Sequence, residues 1–150
     1  MEVNYMKTTT KRLSCLFLVL LLACVMMLPG CQKEPLVIKD SDTYIVVKTT
    51  EKTLEGKGEM FLIDYMNELA QQGELACTIE DGMITSINGI ENPADFSSCW
   101  MLYTSDAENA NNAWGTVEYE GVEYGSAISG AETLKIKADQ MYIWVFKSFT

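Results

Sequence analysis

Apolar residues fall along this chain in three spacings, and each spacing predicts a different element. An apolar run, interrupted only by Ser14, covers 13–28. Ile45-Val46-Val47 is short, continuous and β-branched, as a strand covered on both faces requires, and predicts a strand over 44–49. Over 59–72 the spacing becomes helical. Leu62, Tyr65, Met66, Leu69 and Ala70 share one stripe, and Asp64, Asn67, Glu68 and Gln71 take the wet side. Glu59 suits the positive helix start, and Gly73 supplies the stop. The stripe reads as a packing face rather than a binding face.

After the helix the spacing is that of strands. Segments 75–80 and 83–90 flank Asp81-Gly82, a strong hairpin signal, and Asn88-Gly89 is a second tight-turn dipeptide. Residues 99–104 form an aromatic-rich strand. Residues 105–115 are rich in turn chemistry and carry one large apolar residue, Trp114. Val117-Glu118-Tyr119 and Val122-Glu123-Tyr124 read as a hairpin around Glu120-Gly121. Strands over 134–137 and 141–147 close the chain. The last is apolar on both faces and reads as central, beside 44–49. Residues 51–58 read as a polar loop. The order of strand, helix and then many strands predicts an α+β, β-grasp-like fold: one helix packed on a mixed β-sheet, with an additional hairpin.

The run at 13–28 follows Lys7, Lys11 and Arg12 and leads into Leu28-Pro29-Gly30-Cys31. A positive flank, a short apolar core and a small residue before a cleavage point are the anatomy of an export signal. Cysteine at that point predicts a lipoprotein cut before Cys31, with lipid on its sulfur. Met6 starts a tidier signal than Met1, because Glu2 dilutes the positive flank. An uncleaved anchor helix is the alternative, although the run is short against the ~20 residues that cross a bilayer; an ordinary secreted protein is a third. All three readings place the domain outside the cytoplasm. The expected organisation is a signal at 1–30, a lipid-anchored tether at 31–42 and one domain at 43–150.

Charge removes several classes of function. The chain carries −10, and its leader holds a net positive share, so the exported part is more acidic still. That part has no arginine, and the chain has no histidine. Such a surface repels phosphate backbones, which argues against nucleic acid as a partner. It also stands off anionic lipid, leaving the anchor as the contact with the membrane. Without histidine no Ser-His or Cys-His dyad can be built, and the common zinc sites lose their main ligand. No metal site and no catalytic residue is expected. A carboxylate group at Glu118, Glu120 and Glu123 lacks the loop pattern of a calcium site.

Two candidate features remain. Cys77 and Cys99 could form a disulfide after export, adding about 3 kcal/mol by closing a loop of ~20 residues; the alternative is two buried free thiols on strands. Trp100, Tyr103, Trp114 and Tyr124 offer flat faces for stacking on a planar or cyclic ligand. Core packing is the competing role for Trp100, and capping a sheet edge is the competing role for Trp114.

Ile84-Thr85-Ser86-Ile87-Asn88-Gly89-Ile90, followed by Trp100-Met101-Leu102-Tyr103, resembles the transcobalamin-like C-terminal domain family. There a "TSING(V/I)" strand precedes a "YWM-x-Y" strand. Phe61-Leu62-Ile63-Asp64-Tyr65-Met66 is similar to that family's "TLLDAL" helix start, and the ending with Trp144 to its "(V/I)-x-W-x-(Y/F)" strand. The resemblance covers 43–148. It implies a β-grasp domain of a cell-surface lipoprotein that binds a small ligand, with a corrinoid as the specific case and no other cofactor. Tyr103-Thr104-Ser105-Asp106 and Ala138-Asp139-Gln140 depart from the family's turns, and the helical partner domain of the animal carriers is missing. A structural or protein-interaction domain of the envelope is the alternative function.

Overall fold

The computed structural model describes residues 34–149. The signal segment and Cys31, the expected lipid-bearing residue, lie outside the described residues. The elements are β1 (Val37–Ser41), β2 (Tyr44–Lys48), α1 (Glu51–Leu54), α2 (Leu62–Gln71), β3 (Cys77–Glu80), β4 (Met83–Ile87), β5 (Ile90–Glu91) and β6 (Ser98–Thr104). A 3-10 turn (Ala107–Asn109), β7 (Ala110–Tyr119), β8 (Val122–Ala127) and β9 (Met141–Ser148) complete the chain.

Six strands form one sheet in the order β1-β2-β9-β6-β8-β7, with every neighbouring pair antiparallel. β3, β4 and β5 form a second, three-stranded antiparallel sheet. Among the described residues the fold is therefore mostly β, with α2 the one helix longer than a single turn. This overturns the α+β, β-grasp-like expectation of one helix on a mixed sheet. β2 and β9 are neighbours as expected, but they run antiparallel, with Val46 opposite Ile143. Burial of both strand faces signals a central position and carries no information on direction. The hairpins at 75–90 also leave the main sheet to form their own.

The three turn dipeptides behave as their chemistry dictates. Asp81-Gly82, Asn88-Gly89 and Glu120-Gly121 all hold positive φ at both positions, matching the twist of the strands they join. Three other segments differ from expectation. Val37–Ser41, expected within the tether, is an edge strand, because Val37 and Ile38 pair with Val47 and Val46. Residues 51–54 are a short helix rather than loop. Thr50 Oγ1 accepts the N–H of Thr53, and Thr53 Oγ1 accepts the N–H of Thr50, a reciprocal capping box at the helix start. Residues 134–137 are not a strand, apart from an isolated bridge between Phe61 and Lys135. Their neighbourhood serves the helix instead. α2 has no side-chain cap; the Leu134 carbonyl accepts from Leu62 N–H at 2.8 Å and the Ala131 carbonyl from Ile63 N–H at 3.0 Å.

The core is divided by the main sheet. On one face Ile45, Val47, Leu102, Tyr142 and Trp144 pack with Leu62, Tyr65, Met66 and Leu69 of α2 and with Ile84 and Ile87 of β4. On the other, Val46, Tyr103, Val117, Tyr119 and Ile143 form a smaller cluster. Alternation along β9 sends Tyr142 and Trp144 one way and Ile143 the other.

Candidate functional site

β6 is paired unequally on its two edges. Toward β9 it is in register along its whole length, from Ser98 opposite Ser148 to Thr104 opposite Tyr142. Toward β8 only Tyr103 and Ser126 are in register. Below that pair the two strands diverge, and a groove of about 500 Å³ lies between the Cys99–Leu102 stretch of β6, residues 127–131 at and beyond the end of β8, and β4 with the loop 92–96. The volume is within the ~300–1,000 Å³ of small-molecule sites.

Asn92 braces the open edge. Its Oδ1 accepts the Trp100 N–H at 2.9 Å, and its Nδ2 donates to the Ile84 carbonyl at 3.0 Å. The Trp100 side chain is fixed as well: Nε1 donates to the Ile90 carbonyl at 2.8 Å, and its ring meets Phe146 edge-on at 5.4 Å. Trp100 is only 6% exposed, so it is both a core residue and a wall of the groove.

Trp114 reaches the rim through an irregularity in β7. Asn111 pairs with Ser126 and Thr116 with Gly125, so residues 112–115 loop out while β8 advances by one position. The loop is pinned at its tip. Ser126 Oγ accepts the Trp114 N–H at 3.2 Å, and Tyr103 Oη donates to the Trp114 carbonyl at 3.1 Å. The backbone is held while the indole stands 64% exposed.

Of the six large apolar side chains that are exposed among the described residues, four line this groove: Met83, Phe96, Trp114 and Ile128. None of the lining residues is charged. Phe96 holds φ at +53°, a left-handed backbone that costs an aromatic residue energy. The Pro93 carbonyl accepts its N–H at 3.0 Å, and Asp95 Oδ1 accepts the next N–H, of Ser97, at 3.0 Å. Strained and exposed, Phe96 is held at the groove by its loop rather than by the core.

Of the four aromatics singled out in the sequence, the structure brings Trp100 and Trp114 together. Tyr103 and Tyr124 belong to the opposite face of the sheet, where Tyr103 is fully buried and Tyr124 packs beside it. Tyr103 reaches the groove indirectly, through its hydrogen bond to Trp114. Met83, Phe96 and Ile128 went unrecognised in the sequence. Phe96, between Asp95 and Ser97, carries the same signal that marked Trp114: a large apolar residue alone in a polar loop.

Cys77 and Cys99, for which a disulfide and two free thiols were both open, are free thiols here. Cys77 packs with the helix-side core. Cys99 alternates with Trp100 along β6 and contacts Met101 Sδ at 3.6 Å, on the other face of the sheet. The main sheet thus separates the two sulfurs. Burial pushes both thiols above their ordinary pKa, so both are poor nucleophiles at neutral pH.

Among the described residues no cluster of three or more histidine, cysteine or acidic side chains could hold a metal, and no helix is long and apolar enough to cross a membrane. No family model, curated protein or solved structure matches this chain.

Proposed function

We propose that this domain is a non-catalytic module that binds an uncharged, largely apolar small molecule, and that Cys31 holds it by lipid at the outer side of a membrane. The supporting observation is the convergence of Met83, Phe96, Trp114 and Ile128 on one uncharged groove. Apolar side chains collected at a concave site, rather than scattered, are what a ligand site requires. Trp114 supplies an exposed flat face over a wall fixed by Trp100. The transcobalamin-like resemblance also points to a small ligand. A corrinoid fits the groove's character in part, being flat but fringed with amides.

Strand addition by another envelope protein is the competing reading. The open edge of β6 invites it, but Asn92 already occupies the Trp100 amide that an added strand would need.

Titration with Prodan, a neutral naphthalene ketone whose emission reports its surroundings, tests the proposal. Saturable binding with blue-shifted emission is expected. Trp114→Ala should weaken it about tenfold, the loss of one stacked aromatic face, without lowering the melting temperature, because the side chain is exposed. Binding that survives Trp114→Ala unchanged, or is absent at high micromolar dye, refutes the assignment. Cobalamin in the same assay, read as quenching of tryptophan emission, tests the corrinoid case.

A further inference from the structure

Trp144 lines the groove from β9, opposite Leu102, and is 4% exposed. Its Nε1 is the one buried side-chain nitrogen or oxygen among the described residues that lacks a hydrogen-bond partner. The contrast with Trp100 is local and sharp. Both indoles line the same groove, yet Trp100 Nε1 has the Ile90 carbonyl at 2.8 Å and Trp144 Nε1 has nothing. Buried tryptophan N–H groups ordinarily find an acceptor, because leaving one unpaired is costly.

We infer that the ligand supplies this acceptor: the groove takes a neutral, ring-bearing molecule whose carbonyl or ether oxygen receives the Trp144 Nε1–H. This rests on the reading of the groove as a ligand site. The indole N–H only donates, so the complementary ligand atom is an acceptor. That atom is uncharged, because the lining offers no cation to pair with a carboxylate or phosphate. The rim rejects anions as well. The Glu132 carboxylate lies against Gly82, a lining residue, so closely that a Cβ there would come within 2.5 Å of Oε2. Trp114 and Phe96 then cover the ring faces while Trp144 selects for the oxygen. Trp144 is thus a specificity residue, where the four exposed side chains provide affinity.

A matched pair of probes tests this: 2-acetylnaphthalene carries the oxygen, and 2-ethylnaphthalene has the same ring without it. In ¹H–¹⁵N spectra of the mature domain the three indole signals, one for each tryptophan, separate the arms without any variant. The Trp144 signal should move downfield with the acetyl probe and not with the ethyl probe. Trp144→Phe, which keeps the ring and removes the donor, should weaken the acetyl probe roughly tenfold and leave the ethyl probe unchanged. If both probes bind but the Trp144 signal ignores the oxygen, or the variant weakens both alike, the inference fails while the groove stands as a ligand site. If neither probe binds at its solubility limit, the groove assignment fails and the inference with it.

Discussion

Tyr103 shows how a single residue can serve the groove from behind the sheet. Its ring is buried in the smaller core cluster, with Lys147 Nζ 4.6 Å above it, and only its hydroxyl reaches the Trp114 carbonyl. Sequence reasoning placed Tyr103 with the ligand contacts, beside Trp100, for its flat aromatic face. The period of two sends them to opposite faces, since they stand three positions apart. Tyr103→Phe keeps the packing and removes one hydrogen bond, worth about 1 kcal/mol. The expected result in urea melts is a loss of that order. In indole spectra the Trp114 signal should shift, with weaker Prodan binding. Unchanged dye binding together with an unmoved Trp114 signal would leave Tyr103 as a packing residue alone.

At the scale of elements, α2 was the most legible part of the chain. Its stripe of Leu62, Tyr65, Met66 and Leu69 is buried as the 3.6-residue spacing requires. Tyr65 adds a tie across the layers, donating its hydroxyl to the Lys48 carbonyl at 3.0 Å. Leu69→Ala should cost about 2–5 kcal/mol, the range for a buried leucine that leaves a cavity, and equilibrium unfolding measures it. A loss under about 1 kcal/mol would mean that the helix is only loosely docked. The segment at 134–137 was misread for a reason that local pattern could not expose. Leu134 and Ile136 are apolar and alternate like a strand, but the carbonyls of Ala131 and Leu134 are spent on the helix start. Which backbone groups are already engaged is a tertiary fact.

Across the whole molecule, one end of the main sheet is closed by polar ties among segments distant in sequence. Thr49 Oγ1 donates to the Lys137 carbonyl at 2.6 Å and accepts the Gln140 N–H at 3.1 Å, and Ser105 Oγ accepts the Met141 N–H at 2.8 Å. Beside them the buried Asp106 carboxylate meets Lys137 Nζ at 2.8 Å. Burial opposes ionisation of Asp106, but hydrogen bonds from Lys137, Asn109 and the Glu108 N–H outweigh it and hold the pKa below the ordinary carboxylate value. A depressed native pKa means that the unfolded chain binds the proton more readily. The stabilisation is therefore present above the unfolded value of ~3.9 and is lost as pH falls through the native one. Asp106→Asn should lower stability at pH 7 and flatten the fall in melting temperature below about pH 4. An acid limb identical to that of the parent would show that other carboxylates govern it. The sequence by itself determined the turns, the amphipathic helix, the doubly covered strands and their adjacency, because each depends on residues close in the chain or on apolar coverage alone. Strand direction, the split into two sheets, the free state of Cys77 and Cys99, and the groove itself were decided only by the tertiary structure. All four depend on which strand edges and faces meet: the groove opens where β6 and β8 part after one residue pair, and no local pattern in either strand records that parting.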